Sequence, residues 1–114
     1  MREKPRDKER LLHILEACEI LINSKDKESI ESIKESQLQF YGYVKLVEII
    51  GEATYNITKE YRAAHTEVPW KMMEGMRHVL VHDYYMISPD KLWDTIQNDI
   101  PVLKPQIEKL LKEM

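Results

Sequence analysis

The sequence predicts an all-α fold, and three observations carry that prediction. Only three glycines and five prolines punctuate 114 residues. Between them, apolar residues recur at intervals of three and four, the period of a helix with one buried face, and do not alternate as strands do. The third is composition: 43% hydrophobic and 32% charged residues suit amphipathic helices around one core. The expected architecture is an antiparallel bundle of four to five helices, with residues 1–114 forming a single domain. A chain of this length buries roughly two thirds of the surface its unfolded form exposes, so folding itself calls for no staple or metal.

The first helix is expected from about Asp7 to Asn23. Asp7 serves as its cap, and Leu11, Leu15, Cys18 and Ile22 form a stripe that Leu12, Ile14 and Leu21 widen. After the polar link Ser24-Lys25-Asp26-Lys27, residues Glu28 to Ser36 offer only Ile30 and Ile33, enough for a short peripheral helix. From Leu38 to Ile57 the apolar face broadens. Phe40, Val44, Val47, Ile50 and Ala53 lie on one set of turns, with Tyr43, Leu46, Ile49 and Tyr55 beside them, as in a central helix. Thr58 to Val68 is polar and reads as a connecting loop. Pro69 then opens a fourth helix at Trp70 that runs to the low eighties.

Ser88-Pro89-Asp90 is a second start signal, a serine cap followed by proline at the first helical position. It launches Leu92, Ile96, Ile100, Leu103, Ile107 and Leu110 at helical spacing. Pro101 falls inside this last helix and is expected to kink or break it, because its ring removes a donor and clashes with the preceding turn. Gly51 and Gly75 sit within expected helices at a cost of about 1 kcal/mol each relative to alanine. Close passage of two helix backbones at both positions would account for them; simple tolerance is the alternative.

Seventeen Lys and Arg against twenty Asp and Glu give a net charge of −3. That balance excludes a broadly basic nucleic-acid scaffold and confines any RNA contact to a focal site with a shallow salt dependence. The single cysteine, Cys18, has no partner for an intramolecular disulfide. The N-terminus is charged and has no apolar signal core, and no stretch reaches the roughly eighteen apolar residues of a membrane span. A cytoplasmic protein without a membrane partner is expected.

Common catalytic signatures are absent: no HExxH, GxxxxGK, GxSxG or CxxC, and no Glu-x-x-His pair. One polar segment stands out inside an otherwise apolar element, Glu74-Gly75-Met76-Arg77-His78-Val79-Leu80-Val81-His82-Asp83-Tyr84-Tyr85. On an uninterrupted helix Arg77 and Tyr84 share a face, as do His78 and His82, whereas Arg77 and His82 diverge by roughly 140°. They converge if the helix loosens after Val81. Arginine supplies a permanently charged fork for phosphate, and histidine moves protons near neutral pH, so the pair suits phosphodiester chemistry without a metal. The plainer alternative is an Arg77 salt bridge to Asp83 or Glu74 and a histidine satisfied at a helix end. Another alternative takes Glu74, His78 and His82, spaced four and four, as metal ligands on one face. Glu48 and Glu52 read as a solvated or salt-bridged edge, and His13 and His65 as ordinary surface or half-buried residues. Tyr41, Tyr43 and Tyr55 read as helix-packing positions, not base readers.

Several separated motifs together resemble one family, the HEPN-domain proteins of the HepT type, toxins of HepT/MntA toxin–antitoxin systems. The resemblance runs through Leu11 to Ala17, Glu48-Ile49-Ile50-Gly51-Glu52-Ala53, Val68-Pro69-Trp70, Arg77-His78 to His82-Asp83-Tyr84, Trp93, and Asp99-Ile100-Pro101. Its signature R-x4-H-x-Y is complete from Arg77 to Tyr84, with His78 where asparagine is commoner. The resemblance implies a HEPN-type bundle, like nucleotidyltransferase substrate-binding subunits, that forms a homodimer with its motifs facing a shared cleft. It further implies a metal-independent endoribonuclease with no cofactor. In it His82 is general base or acid and Arg77 binds the scissile phosphate, while His78 orients or assists and Asp83 completes the motif. A cognate minimal nucleotidyltransferase antitoxin would inactivate it by transferring AMP to Tyr84, with Tyr85 an adjacent hydroxyl. Independently, the wide apolar stripes of the first and third helices leave an extra face for a second protomer. The alternative from the same resemblance is a non-catalytic helical binding subunit of such a nucleotidyltransferase.

Overall fold

The structure, a computed structural model, describes residues 3–78 and 88–114. Among these residues every regular element is helical, as the spacing predicts. Helix α1 (Glu3–Lys25) packs along α3 (Gln37–Tyr55) on one side and along the C-terminal helix α7 (Ile100–Lys112) on the other. Short helices α2 (Ile30–Glu35), α4 (Lys59–Ala64), α5 (Trp70–Gly75) and α6 (Pro89–Asp94) complete the described fold.

The core is the set of residues that the helical period singles out. Leu11, Ile14, Cys18 and Leu21 of α1 meet Val44, Val47, Ile50 and Ala53 of α3, while Ile96, Ile100, Leu103, Ile107 and Leu110 close the other side. The stripe on α1 is shifted from expectation: Leu15 and Ile22 are only partly buried and Leu12 is exposed, while Ala17 joins the core. The expected surplus of apolar surface appears at Leu12, Ile20, Leu38 and Tyr41, all exposed.

Three boundaries differ from the sequence reading, each for a local reason. Helix α1 starts at Glu3, so Asp7 lies inside it and does not cap it. Its buried carboxylate instead accepts from Thr58 N at 2.9 Å and Thr58 Oγ1 at 2.8 Å. Thr58 in turn accepts from Tyr61 N at 3.2 Å, so a side chain 51 residues away steadies the start of α4. That is why the polar stretch expected as a loop contains a helix: Thr58 is a capping residue with its own support.

The second difference is at Pro101. No break occurs there; the turn before it, Thr95–Asp99, widens into a π-helix, and Ile100 N donates to Thr95 O. The extra residue in that turn takes up the clash and the missing donor that proline imposes, and α6 and α7 continue through it as one helical run. Pro105 also lies inside α7, which stays α-helical around it.

The third difference matters most for function. Helix α5 ends at Gly75, and Met76 and Arg77 form a turn before helical conformation resumes at His78. Met76 N bonds Met73 O at 3.1 Å and Arg77 N bonds Glu74 O at 3.2 Å, the i to i−3 pattern of a tightened last turn. Trp70, Met73 and Met76, spaced by three, are all buried and pin this tight turn to the core. The uninterrupted fourth helix expected from Pro69 onward is therefore interrupted at Arg77.

Candidate functional site

The site is built from the interruption outward. Helix α5 packs against α3, and the contact is closest at Gly51. A Cβ built on Gly51 would collide with Arg77 N and would stand 2.7 Å from Met76 C and 2.8 Å from Arg77 Cα. The close backbone passage expected at Gly51 is therefore present, and its partner is the arginine of the signature. At Gly75 nothing lies within 4 Å of such an atom, so the alternative, simple tolerance, holds there.

One turn further along α3, on the same face as Gly51, is Tyr55. Arg77 Cζ lies 3.9 Å from the centroid of the Tyr55 ring. Arg77 Nε is buried without a hydrogen-bond partner, and the ion pairs among the described residues all engage other side chains. Glu74, the acidic neighbour offered as a partner for Arg77, is taken by Arg62: the Nη1–Oε1 distance is 2.7 Å, and both groups are partly shielded. That bond also ties α4 to α5. Tyr61 on α4 adds an edge contact to Trp70, 6.3 Å between centroids, and Trp70 Nε1 donates to His65 O at 2.8 Å. The segment in front of Arg77 is thus braced from two helices.

Tyr55 is the residue that the sequence reading missed. Tyr43 is indeed a packing residue, but Tyr55 is 48% exposed and lies against the arginine. The available signal was an exposed-face aromatic four residues after a helical glycine, the spacing that puts a ring beside whatever approaches that glycine.

The remaining candidates are distributed unevenly. His78 is exposed at the resumption of helical conformation. His82, Asp83 and Tyr84, with Tyr85, lie outside the described residues. The metal set Glu74, His78 and His82 has one member engaged by Arg62 and one outside the described residues. Among the described residues no group of three His, Cys, Asp or Glu gathers to hold an ion. His13 lines an open cleft of about 420 Å³ between α1 and α3 with Arg10, Lys45, Glu48 and Glu52. Glu48 is paired there with Lys45 at 2.9 Å, the salt-bridged edge expected of it. His65 stacks on Tyr61 with 4.3 Å between ring centroids. No helix among the described residues is long and apolar enough to cross a membrane.

An all-α chain that interrupts a helix to set an arginine on an aromatic face, without a carboxylate partner among the described residues, has the ingredients of an anion-binding site. Comparison with known proteins gives its class. A family model described as ribonuclease HepT-like matches residues 13–110, and the chain belongs to that family. A relative named "Putative RNase TTE0752" from Caldanaerobacter subterraneus subsp. tengcongensis is 39% identical over 103 residues, 90% of this chain and 92% of its own length. Another, named "Probable ribonuclease HepT" from Thermococcus cleftensis, is 35% identical over 105 residues, 92% of this chain and 96% of its own. No solved structure matches.

Proposed function

We propose that this protein is an endoribonuclease that cleaves RNA through the signature from Arg77 to Tyr84, without a metal or cofactor. The observation that carries the reading is the guanidinium of Arg77, braced on Tyr55 and lacking a carboxylate partner among the described residues, in a chain of the ribonuclease HepT-like family. An arginine already neutralised by a carboxylate would have to lose that partner before taking a phosphate, and among the described residues Arg77 has none to lose.

In the proposed reaction the 2′-hydroxyl attacks the adjacent phosphorus and the P–O5′ bond breaks. The products are a 2′,3′-cyclic phosphate and a 5′-hydroxyl. His82 takes the proton from the attacking hydroxyl or delivers one to the leaving oxygen, Arg77 stabilises the negative charge that grows on the phosphoryl oxygens, and His78 and Asp83 orient the imidazole. Two protomers of a homodimer bring their signatures to one cleft, which supplies one histidine for each proton transfer. The exposed apolar residues of α1 and α3 support such an association.

The physiological role we infer is the toxin of a cytoplasmic toxin–antitoxin pair, held in check by a minimal nucleotidyltransferase. The hydroxyl of Tyr84 attacks the α-phosphorus of ATP, pyrophosphate leaves, and the tyrosyl-AMP anion competes with RNA for Arg77.

The test is cleavage of a short structured RNA in EDTA by unmodified protein, checked by intact mass, beside Arg77→Ala and His82→Ala variants of unchanged helicity. Loss of cleavage in both supports the reading. Equal cleavage by His82→Ala, or an inert wild type across several RNAs, refutes it and favours the non-catalytic binding subunit.

A further inference from the structure

Among the described residues, little that is polar holds Arg77 in place. Its Nε is buried without an acceptor, no carboxylate among the described residues pairs with it, and the neighbouring Glu74 is committed to Arg62. Its one described side-chain contact of defined geometry is the Tyr55 ring, with Cζ 3.9 Å from the centroid. A long, flexible side chain left otherwise untethered samples several rotamers, and each one that turns away from the ligand is lost to binding.

A ring face attracts the guanidinium electrostatically, yet it offers no acceptor that would consume the N–H donors a phosphate needs. A carboxylate in the same place would hold Arg77 just as firmly and would also neutralise it. Gly51 completes the arrangement: with no Cβ there, the Arg77 backbone sits directly against α3, at the level from which its side chain reaches Tyr55.

We infer that Tyr55 is a positioning residue for the phosphate-binding arginine, acting through its ring face and not through its hydroxyl. The inference rests on the ribonuclease reading of Arg77 and adds to it a residue outside the signature. Removing the ring lowers kcat/KM for RNA cleavage roughly two- to thirtyfold, the span that a partly exposed cation–π contact supports. Keeping the ring without the hydroxyl does not.

The experiment compares wild type, Tyr55→Phe, Tyr55→Leu, Arg77→Ala and the Tyr55→Leu/Arg77→Ala double variant, each as purified full chain with its thermal midpoint measured. Two readouts are used: RNA cleavage, and the Nε–H resonance of Arg77 in protein labelled with ¹⁵N-arginine. In wild type and Tyr55→Phe the ring current displaces that resonance upfield; in Tyr55→Leu it returns toward the ordinary arginine position. Cleavage falls in Tyr55→Leu, recovers in Tyr55→Phe, and in the Arg77→Ala background Tyr55→Leu costs less than twofold more. A purely structural role for Tyr55 would lower both backgrounds equally, and that result overturns the inference. So does full cleavage by Tyr55→Leu when Arg77→Ala is inactive, an outcome that leaves the ribonuclease reading standing. Full cleavage by Arg77→Ala removes the ribonuclease role of Arg77 itself, and the inference with it.

Discussion

Replacing Gly51 by alanine sets two effects against each other at one atom. Alanine in a helix interior is favoured over glycine by about 1 kcal/mol, so an uncontacted glycine gains stability from the change. Gly42 and Gly75 have nothing within 4 Å of an added Cβ, and both are expected to gain, by about 0.5–1 kcal/mol. At Gly51 the same atom meets backbone: it collides with Arg77 N and lies 2.8 Å from Arg77 Cα, where ordinary contact begins at 3.4 Å. Backbone pinned by the buried Met73 and Met76 does not swing aside like a side-chain tip, so the clash costs the ~1–3 kcal/mol of an overpacked core. The net expectation for Gly51→Ala is a loss of about 1 kcal/mol, a fall of roughly 4 °C in Tm for a chain of this size. The assay is thermal unfolding of the three single variants, with urea midpoints as a check. A Tm for Gly51→Ala that rises alongside Gly42→Ala would refute the close approach of α3 and the Arg77 turn. The clash has a second reading in activity: displacing Arg77 by about 1 Å costs up to a hundredfold in RNA cleavage.

Three further perturbations test the frame around the site. Asp7→Ala leaves Thr58 N–H and its hydroxyl without their acceptor, at a cost of about 1.5–3 kcal/mol in urea unfolding, whereas a loss under 0.5 kcal/mol would show that α4 does not depend on this link. Burial, with Glu19 adding to it, pushes the Cys18 thiol up to about 12, so the folded thiol stays protonated while the unfolded one ionises above its ordinary 9.0. Stability is therefore untouched below pH 9 and falls by about 1.4 kcal/mol per unit from there toward pH 12; Cys18→Ala should show a shallower alkaline decline, and an equal one would remove the assignment. Glu74→Gln and Arg62→Gln should each cost up to about 1 kcal/mol, with the double variant no worse than either, because the two partly shielded groups serve each other. Additive losses would show separate partners.

How much of this was legible in the sequence depends on how local the deciding physics is. The core positions of α3 and of the C-terminal run follow from a repeat of three and four, which the chain carries in itself. Ser88 caps the helix it precedes, as its place before Pro89 predicts, and Ser29 and Ser36, which the sequence reading does not single out, do the same, each through a bond to a residue three further on. Asp7 reads as the cap of the first helix, which it is not: that helix extends past it and frees the carboxylate for Thr58, 51 positions away, a link that no local pattern announces. Pro101 announced a disturbance. Its form, a widened turn upstream instead of a break, depends on buried Ile96 and Ile100 keeping both halves against one core.

The candidate site divides along the same line. Arg77 stood out as a candidate from its chemistry and from the signature around it, and Gly51 was legible as a point of close approach. That the two are the same place was not, because the link is a contact between segments 26 residues apart. Helical geometry drawn through Pro69 to the low eighties set Arg77 and His82 about 140° apart. That angle assumed a continuous helix, and the continuity fails at Arg77 itself. The i to i−3 bonds at Met76 and Arg77 change the direction in which the arginine leaves the backbone, and the ring of Tyr55 receives it. The interruption therefore stands at the first member of the signature, where the tight turn and not a regular helix sets the direction of the arginine. The geometry of this turn makes Gly51 and Tyr55, neither of them in the signature, the residues whose replacement should separate a damaged fold from a misaimed arginine.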